Sequence, residues 1–388
     1  MVKVIRVITR LNIGGPAIHT ILLSSELNLS GAYKDILICG EVGEGEGDMS
    51  YLAKEKGVEP VRIPHLKREI SLKDDLKAFW SIYLIIRKER PDIVHTHTAK
   101  AGTLGRFAAM LAGVPVRIHT FHGHVFDGYF DPVRAKIFIA IERLLTVFTD
   151  KVVTVSRQVE DDIVRKLGIA GSSKSSVIPL GLELDKFLRS EETRGRFRKS
   201  LGIGDDVLLV GIVGRLTPIK NHRMFLRSIK KVSEISPGIK AKYLVIGDGE
   251  LKGELMALSK SLGIEGSVVF TGWAEDLASV YSDLDIVALT SLNEGTPVSI
   301  IEGMASARPV ISTDVGGVSD IVSDGQSGIL VKSDDHDDFA IRLIELMSDA
   351  KLRSALGANG RKLVESRYSK TRLVSDVKKL YAECMVKR

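Results

Sequence analysis

The sequence predicts an α/β protein with two doubly wound domains, each built on a parallel sheet. Apolar, β-branched runs alternate with helical patterns through both halves of the chain, which is the pattern of parallel α/β sheets. With 388 residues, the chain is too long for one hydrophobic core and suits two domains. A hydrophobic content of 44% and a charged content of 27% are typical of a globular enzyme.

Strand-like runs place the elements of both domains. In the first half they lie near residues 2–8, 35–39, 92–95, 116–120 and 151–155. In the second half they lie near residues 207–213, 241–246, 267–270, 285–289, 309–312 and 328–331. We predict an N-terminal domain over 1–187 and a C-terminal domain over 188–368, with a terminal amphipathic helix from about Ser369 to Met385.

Charge and cysteine content exclude several classes of protein. The net charge is +6, but the basic residues are spread along the chain without interleaved aromatics, so no nucleic-acid partner is predicted. Cys39 and Cys384 suggest no disulfide framework, which indicates a reducing compartment. No apolar run is long enough to cross a bilayer, and the first strand lacks a signal-peptide cleavage pattern. We therefore expect a cytoplasmic protein, and contact with the inner face of the cytoplasmic membrane stays an open alternative.

Residues 293–305 carry the strongest functional signal and read NEGTPVSIIEGMA. Thr296 is predicted to cap a helix and Pro297 to occupy its first turn, where a missing N–H costs nothing. The amides of a first helical turn lack intrahelical acceptors and, with the helix dipole, suit a phosphate. Glu294 and Glu302, eight positions apart, could accept hydrogen bonds from hydroxyls on either side of that phosphate. The segment therefore predicts a sugar-nucleotide site.

A basic turn eighty residues upstream supports this interpretation. The apolar run VLLVGIV at 207–213 predicts a buried parallel strand, and a turn with two cations follows it. Gly214 lets a ligand approach the backbone closely. Arg215 can form a bidentate contact with phosphate oxygens, and Lys220 adds a compact point charge. A single basic residue in a loop is usually just solvated. This turn therefore indicates a phosphate site only in combination with segment 293–305.

Together these motifs resemble the retaining GT-B glycosyltransferases of family 4. Gly-Arg-Leu…Lys at 214–220, followed by Glu-x7-Glu at 294–302, is similar to the family's C-terminal half. The match continues in the first half through GGP at 14–16 with His19, DIVHTH at 92–97, HTFHG at 119–123 and VIPLGLE at 177–183. In the last segment Leu180 stands where the family usually has Asn.

The resemblance implies two Rossmann-like domains that face each other across a cleft, with the terminal helix 369–388 packed back on the N-terminal domain. The C-terminal domain would bind the nucleotide sugar and the N-terminal domain the acceptor. Arg215 and Lys220 would neutralise the leaving diphosphate, Glu294 would hold sugar hydroxyls, Glu302 ribose hydroxyls, and His122 would contact the sugar. Transfer would be retaining and metal-independent, without a cofactor. A UDP-sugar is preferred to a GDP-sugar, with a hexose or N-acetylhexosamine moved to a glycan or polyprenyl-linked acceptor in polysaccharide biosynthesis.

Further positions complete the predicted site. The remaining donor-binding candidates are Gly15, Gly214, Trp273, Gly295, Thr296, Pro297 and Val298. By the resemblance, Trp273 borders the pocket for the base. Gly14 and His19 are acceptor candidates because the Gly-Gly-Pro turn, which ends a strand and opens the helix with His19, could bring its backbone close to a ligand. Phe126 and Tyr129 are further acceptor candidates, because they lie in a loop and loops carry specificity.

Three other interpretations carry less weight. The Gly-Gly-Pro turn lacks the third glycine of the dinucleotide pattern, which argues against a nicotinamide enzyme. Asp283 and Asp285 form an Asp-x-Asp pattern, but they lie where acids commonly end helices and start strands. Clustered histidines suggest zinc, yet they have no cysteine partner and no His-Glu-x-x-His helix, so no metal site is predicted. These histidines are His95, His97, His119, His122 and His124.

The segment from Ser71 to Arg90 predicts an amphipathic helix with cationic flanks. Its apolar residues are Leu72, Leu76, Phe79, Trp80, Tyr83 and Leu84. We expect this face to pack on the protein's own sheet, and a membrane-surface helix is the alternative.

Two rival functions share the predicted architecture. A sugar-nucleotide epimerase would convert the donor with no acceptor present, whereas the two-glutamate spacing favours transfer. A non-catalytic nucleotide-sugar-binding protein would bind the donor without turnover. Such a protein need not keep the whole set of Arg215, Lys220, Glu294, Glu302 and His122.

Overall fold

A computed structural model describes residues 1–43, 47–123 and 132–386 of the chain. The chain divides into two compact units. The first comprises Met1–Leu182 together with Lys370–Arg388, and the second comprises Glu183–Ser369. Each unit contains one sheet in which all strand pairs are parallel.

The first unit has a seven-stranded sheet of order β3-β2-β1-β4-β5-β6-β7. Its strands are β1 Val2–Arg10, β2 Tyr33–Gly40, β3 Val61–Arg62, β4 Ile93–His97, β5 Val116–Phe121, β6 Lys151–Thr154 and β7 Ser175–Val177. The five runs predicted from the sequence are confirmed. Strand β3 was not predicted, because both of its residues are exposed. Strand β7 is the short strand that closes the sheet after the polar loop 171–174.

Helices cover the sheet of the first unit. They are α1 Gly15–Leu29, α2 Ser50–Glu55, α3 Leu72–Glu89, α4 Ala99–Leu111, α5 Pro132–Val147 and α6 Arg157–Asp161, and a π-helical turn continues α6 over Asp162–Lys166. On one face of the sheet, Ile5 and Val7 of β1 pack with Phe79 and Ile82 of α3 and Ala108 of α4.

The second unit has a six-stranded sheet of order β10-β9-β8-β11-β12-β13. Its strands are β8 Leu208–Val213, β9 Ala241–Ile246, β10 Val268–Gly272, β11 Ile286–Leu289, β12 Val310–Thr313 and β13 Ile329–Val331. All six match the predicted runs to within two residues. Each strand is short and largely buried, as expected when helices cover both faces of a parallel sheet.

Eight helices belong to the described part of the second unit. They are α7 Asp185–Leu188, α8 Arg196–Ser200, α9 His222–Ile235, α10 Lys252–Ser261, α11 Leu277–Asp283, α12 Val298–Ala305, α13 His336–Ser348 and α14 Ala350–Arg367. The main core lies between β8 and the helices α9 and α13, with Ile212, Phe225, Ile229, Phe339 and Leu343 fully buried. Helix α12 packs against α14.

The last helix, α15 Lys370–Val386, belongs to the first unit. Its residues Leu373 and Tyr381 pack with Val4 of β1 and with Leu23 and Leu27 of α1. Helices α1 and α15 therefore cover the face of β1 opposite to α3 and α4. Among the described residues, no helix combines the length and the apolar composition that crossing a bilayer requires.

Candidate functional site

The sheet of the second unit reverses its strand order between β8 and β11, where chain connections leave in opposite directions. Ligands of open α/β sheets lie beyond the carboxyl ends of the strands at such a switch point. The loops that follow these strands are residues 214–221 and 290–297. They contain the cations and the first carboxylate predicted from the sequence, so the fold places these groups at one edge.

Close backbone packing fixes the loop after β8. The amide of Gly214 donates to the carbonyl of Ile246 at 2.9 Å, and that of Leu216 donates to the carbonyl of Asp248 at 3.0 Å. Gly247, at φ +139°, lies against the carbonyl of Gly214, and any Cβ there would collide with it. The loop then turns through the 3₁₀ segment Pro218–Lys220. This packing holds the backbone that carries both cations.

The connection after β12 contacts the loop that carries Glu294. The amide of Gly317 donates to the carbonyl of Glu294 at 2.9 Å. Gly316 adopts φ +53°, and a Cβ at this position would collide with the same carbonyl. Only glycine meets both demands, so the Gly-Gly pair fixes the position of Glu294.

Lys220 and Glu294 form an ion pair at this edge. The distance from Lys220 Nζ to Glu294 Oε1 is 2.5 Å, and the side chains are only 21% and 10% exposed. Ser291 Oγ donates to the same carboxylate oxygen at 2.6 Å. The second oxygen, Oε2, has no protein partner among the described residues and can accept a hydrogen bond from a ligand.

Arg215 lies in the same loop as Lys220 and is half-buried. Within the residues that the structure describes, its guanidinium makes no hydrogen bond or ion pair. A guanidinium presents five N–H donors in a planar fork that matches phosphate oxygens. Arg215 is therefore a cation whose donors are open to a ligand.

Helix α12 begins one residue later than predicted. Pro297, in an extended conformation, is the N-cap, so the prediction that Thr296 caps the helix is wrong. The first intrahelical bond joins the amide of Ile301 to the carbonyl of Pro297, at 3.4 Å. The amides of the first turn, at Val298 and Ser299, therefore have no intrahelical acceptor and suit an anion.

Glu302 lies inside α12 and is nearly fully buried. Its Oε2 accepts a hydrogen bond from Tyr281 Oη at 3.1 Å. Burial raises the pKa of this carboxyl from 4.5 to about 7, against the opposing influences of the Lys186 charge and the Tyr281 hydrogen bond. The carboxyl thus already has a protein donor, and a ligand hydroxyl must share Glu302 with Tyr281.

Trp273 follows β10 and is 47% exposed, so its indole is open to a ligand. A surface pocket lies beside it, and Phe197, Thr271 and Asp276 also line this pocket. Neither cation of the loop after β8 lines the pocket, nor does Glu294. The backbone of Gly295, like that of Thr296, is half-buried in the loop before α12.

The first unit reverses its strand order between β1 and β4. Gly14 precedes α1 there, and Gly15 is the first residue of that helix, as the sequence predicts. His19 of α1 lies beside His97, the last residue of β4, and beside His122, which follows β5. The ring centroid of His19 is 5.6 Å from that of His97 and 5.0 Å from that of His122.

Beneath these histidines lies a buried charged group that the sequence analysis did not single out. Arg6 of β1 is fully buried and paired with Asp35 of β2 at 2.7 Å. It also contacts His95 and His97 of β4 and Tyr381 of α15. Strand β1 is central in its sheet and largely buried, so the charge of Arg6 lies inside the first unit.

All histidines of this cluster are neutral near pH 7. Burial, with the Arg6 charge as the next cause, lowers the pKa of His122 from 6.5 to about 3. Burial is also the main cause that lowers the pKa values of His19, His95 and His97 well below the ordinary value. The cluster therefore acts through hydrogen bonds rather than through charge.

The ligating atoms of His19, His97 and His122 lie within 4.8 Å of one another, close enough to consider a metal ion. A metal-ligating histidine normally donates its second ring N–H to an acceptor. Here, Nε2 of His97 lies 3.1 Å from the guanidinium of Arg6, which can only donate. This surrounding does not fit a metal site, so we assign no metal role to the cluster.

Asp283 and Asp285 serve the fold rather than a ligand. Asp283 is 3% exposed, and its carboxylate accepts from the amides of Gly195 at 2.5 Å and Arg198 at 2.8 Å. Asp285 accepts from the amide of Leu209 at 2.8 Å. Both lie at the amino end of β11, opposite to the edge with Glu294. This placement agrees with the interpretation that these two acids end a helix and start a strand.

Three predicted positions, the acceptor candidates Phe126 and Tyr129 together with His124, lie outside the described residues. His119 of β5 is buried beneath α4, with its Nδ1 2.9 Å from Thr96 Oγ1. Cys39 and Cys384 are both buried, and they form no disulfide within the described residues.

Two family models match this chain, one within each half of it. Residues 13–186 match the model described as Glycosyltransferase Family 4, and residues 193–363 match that described as Glycosyl transferases group 1. A D-inositol 3-phosphate glycosyltransferase of Actinosynnema mirum is 30% identical over 282 residues, which cover 69% of this chain and 67% of the relative. The chain belongs to the group 1 glycosyltransferases. The family resemblance inferred from the motifs is thereby confirmed.

Other relatives of this glycosyltransferase match over more of the chain. A UDP-Gal:alpha-D-GlcNAc-diphosphoundecaprenol alpha-1,3-galactosyltransferase of Escherichia coli is 29% identical over 355 residues, covering 88% of this chain and 90% of the relative. The capsular polysaccharide biosynthesis glycosyltransferase CapM of Staphylococcus aureus is 28% identical over 325 residues, covering 81% and 83%. The chain is thus an enzyme that transfers glycosyl groups.

Solved structures of low identity confirm the GT-B fold. Anabaena HepE in complex with UDP and glucose aligns with a TM-score of 0.84 at 18% identity, covering 98% of this glycosyltransferase and 100% of HepE. Sucrose-phosphate synthase from Thermosynechococcus elongatus aligns with a TM-score of 0.84 at 19% identity, with both chains fully covered. The α/β class with two Rossmann-like units, expected from the sequence, is therefore correct.

The buried carboxyl of Glu302 makes stability depend on pH. Because its pKa rises from 4.5 to about 7 on folding, the folded chain retains a proton that the unfolded chain releases between these values. Wild-type stability from this group therefore falls as the pH rises through that window. The free energy of unfolding of Glu302→Gln, relative to that of the wild type, should therefore rise by up to about 3 kcal/mol between about pH 5 and pH 8.

Unfolding midpoints of both proteins across this pH range measure the effect. The matched control is Glu265→Gln, at an exposed position of the same unit, which should show no comparable trend. A difference between wild type and Glu302→Gln that is independent of pH would contradict the assignment.

Proposed function

We propose that this enzyme is a metal-independent, retaining glycosyltransferase that moves a hexose or N-acetylhexosamine from a nucleotide sugar to a glycan or lipid-linked acceptor in polysaccharide biosynthesis. The observation that carries the proposal is the arrangement at the switch point of the second unit. Lys220, held by Glu294, and the open guanidinium of Arg215 lie there on one loop, and the free amides of α12 follow the next loop.

Departure of a nucleoside diphosphate is the electrostatically demanding step of such a transfer. Two cations and the first-turn amides of α12 offer preorganised positive charge for it, without a divalent ion. The pair with Glu294 fixes the ammonium of Lys220 before the donor binds, so little reorganisation is needed. Arg215 supplies the bidentate contact, since its donors are not engaged within the described residues.

The carboxylates then recognise hydroxyls on the two sides of the diphosphate. Glu294 has its Oε2 available for the hydroxyls of the sugar. Glu302 would bind the ribose in exchange for, or together with, its bond to Tyr281. Trp273 would border the base, and the backbone around Gly214 and Gly295 would allow close approach of the phosphates. Thr296, Pro297 and Val298 complete the donor set.

Relatives and structural neighbours support the preference for a UDP-sugar. The Escherichia coli relative is named for UDP-Gal, and the HepE complexes contain UDP, UDP-glucose, or UDP with glucose. The same Escherichia coli name includes a diphosphoundecaprenol acceptor, and CapM is named for capsular polysaccharide. We assign the acceptor side to the first unit, with His122 contacting the transferred sugar and Gly14 and His19 near the acceptor, while Gly15 belongs to the proposed donor contacts.

A cytoplasmic enzyme that uses a lipid-linked acceptor would work at the inner face of the membrane, and α3 offers a surface for it. The α3 ridge, defined as Leu72, Leu76, Trp80 and Leu84, has side chains between 51% and 88% exposed. The expected packing on the sheet is wrong for these four residues. Phe79 of the predicted face is buried as expected, and it packs in the core with Ala78, Ile82 and Ile86.

The surroundings of the α3 ridge fit an anionic bilayer. Exposed cations flank it along the helix at Lys73, Lys77, Arg87, Lys88 and Arg90. The apolar surface continues onto α4 through Phe107, which is 44% exposed and whose ring lies 5.5 Å from that of Phe79. An apolar ridge between basic side chains is the composition of a helix that lies in the membrane interface.

An epimerase and a non-catalytic binding protein are the alternatives. Incubation with labelled UDP-sugars, with and without a polyprenyl-diphosphate-sugar acceptor, separates the three. Transfer requires the acceptor and releases UDP, an epimerase changes the sugar without it, and a binding protein leaves the donor intact.

Lys220→Ala and Glu294→Ala should each lower kcat by about two to three powers of ten, because each removes part of the preorganised charge at the leaving group. The measurement is transfer from labelled donor per folded enzyme. The matched controls are Lys240→Ala and Asp206→Ala, which break an exposed lysine–carboxylate pair of 3.0 Å in the same unit. Near-normal turnover of both site variants would remove the assignment.

Metal independence predicts that excess chelator leaves the transfer rate unchanged. The positive charge at the leaving group comes from Arg215, Lys220 and backbone amides, none of which a chelator removes. The rate is measured with and without EDTA on dialysed enzyme. Inhibition that Mn²⁺ reverses would contradict this prediction.

Leu76→Ser/Trp80→Ser should reduce binding to phosphatidylglycerol vesicles by about tenfold, because the loss of exposed apolar area costs roughly 1.4 kcal/mol of partition free energy. Co-sedimentation with such vesicles measures the partition. The control is Ile341→Ser, at an apolar residue of α13 that is 55% exposed. Equal binding of wild type and the double variant would rule out the α3 ridge.

A further inference from the structure

We propose that Arg6 is a positioning residue that, through His97, places the ring proton of His122 on Nδ1, so that His122 offers a hydrogen-bond donor rather than a lone pair. The inference rests on the proposed function only in assigning the recipient of that donor, a hydroxyl oxygen of the transferred sugar. The proton positions themselves follow from contacts within the first unit.

The starting point is the buried guanidinium of Arg6, whose carboxylate partner within the described part of the chain is Asp35. Its Nη2 donates to Asp35 Oδ2 at 2.7 Å, and Ser24 Oγ donates to the other oxygen of Asp35 at 2.6 Å. Neither the arginine nor the aspartate has an exposed side chain. Burying an ion pair is costly unless further hydrogen bonds satisfy its polar groups. The position of this pair at the centre of a sheet therefore directs attention to the other partners of the guanidinium.

Those partners are two neutral histidines of β4. Arg6 Nη1 lies 3.1 Å from His97 Nε2 and 3.3 Å from His95 Nδ1. A guanidinium only donates hydrogen bonds, so both of these ring nitrogens must accept. A neutral imidazole has one protonated nitrogen, and the proton of His97 is therefore on Nδ1.

This assignment passes to His122. His97 Nδ1 lies 3.0 Å from His122 Nε2. Because His97 donates from Nδ1, His122 Nε2 accepts, and the proton of His122 is on Nδ1. A hydrogen-bond chain with one direction thus runs from the Asp35–Arg6 pair through two rings.

The end of the chain is a donor without a protein acceptor. His122 Nδ1 is buried and has no partner among the described residues. A buried donor without an acceptor destabilises the protein, and a ligand oxygen would remove this penalty. The low pKa of His122 also keeps the ring from taking a second proton. His122 thus donates to an oxygen and does not act as a general base through Nδ1.

The terminal helix secures the arrangement. Tyr381 Oη of α15 accepts from Arg6 Nη2 at 3.1 Å and lies 2.8 Å from His95 Nδ1, to which it donates. His95 Nε2 then donates to Thr120 Oγ1 at 2.7 Å. The guanidinium of Arg6 therefore contacts side chains of three elements, namely β2, β4 and the terminal helix α15.

The test compares two substitutions at the middle of the chain. In His97→Gln, the amide oxygen of the new side chain can accept from Arg6 and its amide N–H can donate to His122. The direction of the hydrogen-bond chain is therefore kept. His97→Met removes both functions at similar volume. Nitrogen-15 NMR of the imidazoles reads the protonated nitrogen directly.

We expect His122 Nδ1 to be protonated in wild type and in His97→Gln, and a mixture of tautomers in His97→Met. The kcat of His97→Met should fall by about tenfold to a hundredfold with KM for the donor nearly unchanged, and His97→Gln should recover most of it. A protonated Nε2 on His122 in wild type would overturn the inference. Equal tautomer populations in both variants would overturn it as well.

Arg6→Lys tests the first link, because an ammonium keeps the charge near Asp35 but lacks the guanidinium fork that reaches both histidines. Its matched control is Arg106→Lys, which alters another buried arginine–carboxylate pair of the first unit, with Glu142 at 2.6 Å. A mixed His122 tautomer in Arg6→Lys but not in Arg106→Lys supports the proposal, and unchanged tautomers in both refute it.

The variant His122→Ala distinguishes a failure of the proposed function from a failure of the proposed role of Arg6. Full transfer activity in this variant would remove the sugar contact, whereas the NMR assignment in the wild-type protein would still decide the role of Arg6.

Discussion

The ion pair between Lys220 and Glu294 is the interaction on which the proposed donor site depends. It joins the loop after β8 to the loop after β11, the two strands between which the order of the sheet reverses. Without Glu294, the ammonium would be a mobile side chain at the rim of the sheet. With it, the positive charge has a fixed position beside Arg215 and the start of α12. The carboxylate also keeps one oxygen for a ligand.

The first unit repeats this constraint at greater depth. Arg6 and Asp35 pair within the sheet beside its own point of reversal, and the pair is completely buried. In the second unit the cation is partly exposed and available to a ligand, whereas in the first it is buried beneath neutral histidines. The two pairs therefore have different consequences: one presents charge at an edge, and the other determines the direction of a hydrogen-bond chain.

Much of the fold could be predicted because parallel strands buried on both faces leave continuous apolar runs. The motifs at 214–220 and 293–305 were recognisable because the proposed phosphate site would restrict residue types within short segments. The burial of Arg6 was not predictable in this way, since its partners Asp35, His95 and Tyr381 are distant in sequence. The apolar ridge of α3 was assigned to the wrong face, because two apolar stripes lie side by side on that helix. The cap of α12 was misplaced by one residue, which no propensity argument resolves.

The most direct measurement is a crystal structure of the enzyme soaked with UDP or a non-transferable UDP-sugar. The account predicts the diphosphate within hydrogen-bond distance of Arg215, Lys220 and the amides of Val298 and Ser299, with a sugar hydroxyl on the free oxygen of Glu294. A nucleotide bound elsewhere, or an empty strand edge at saturating ligand, would contradict it.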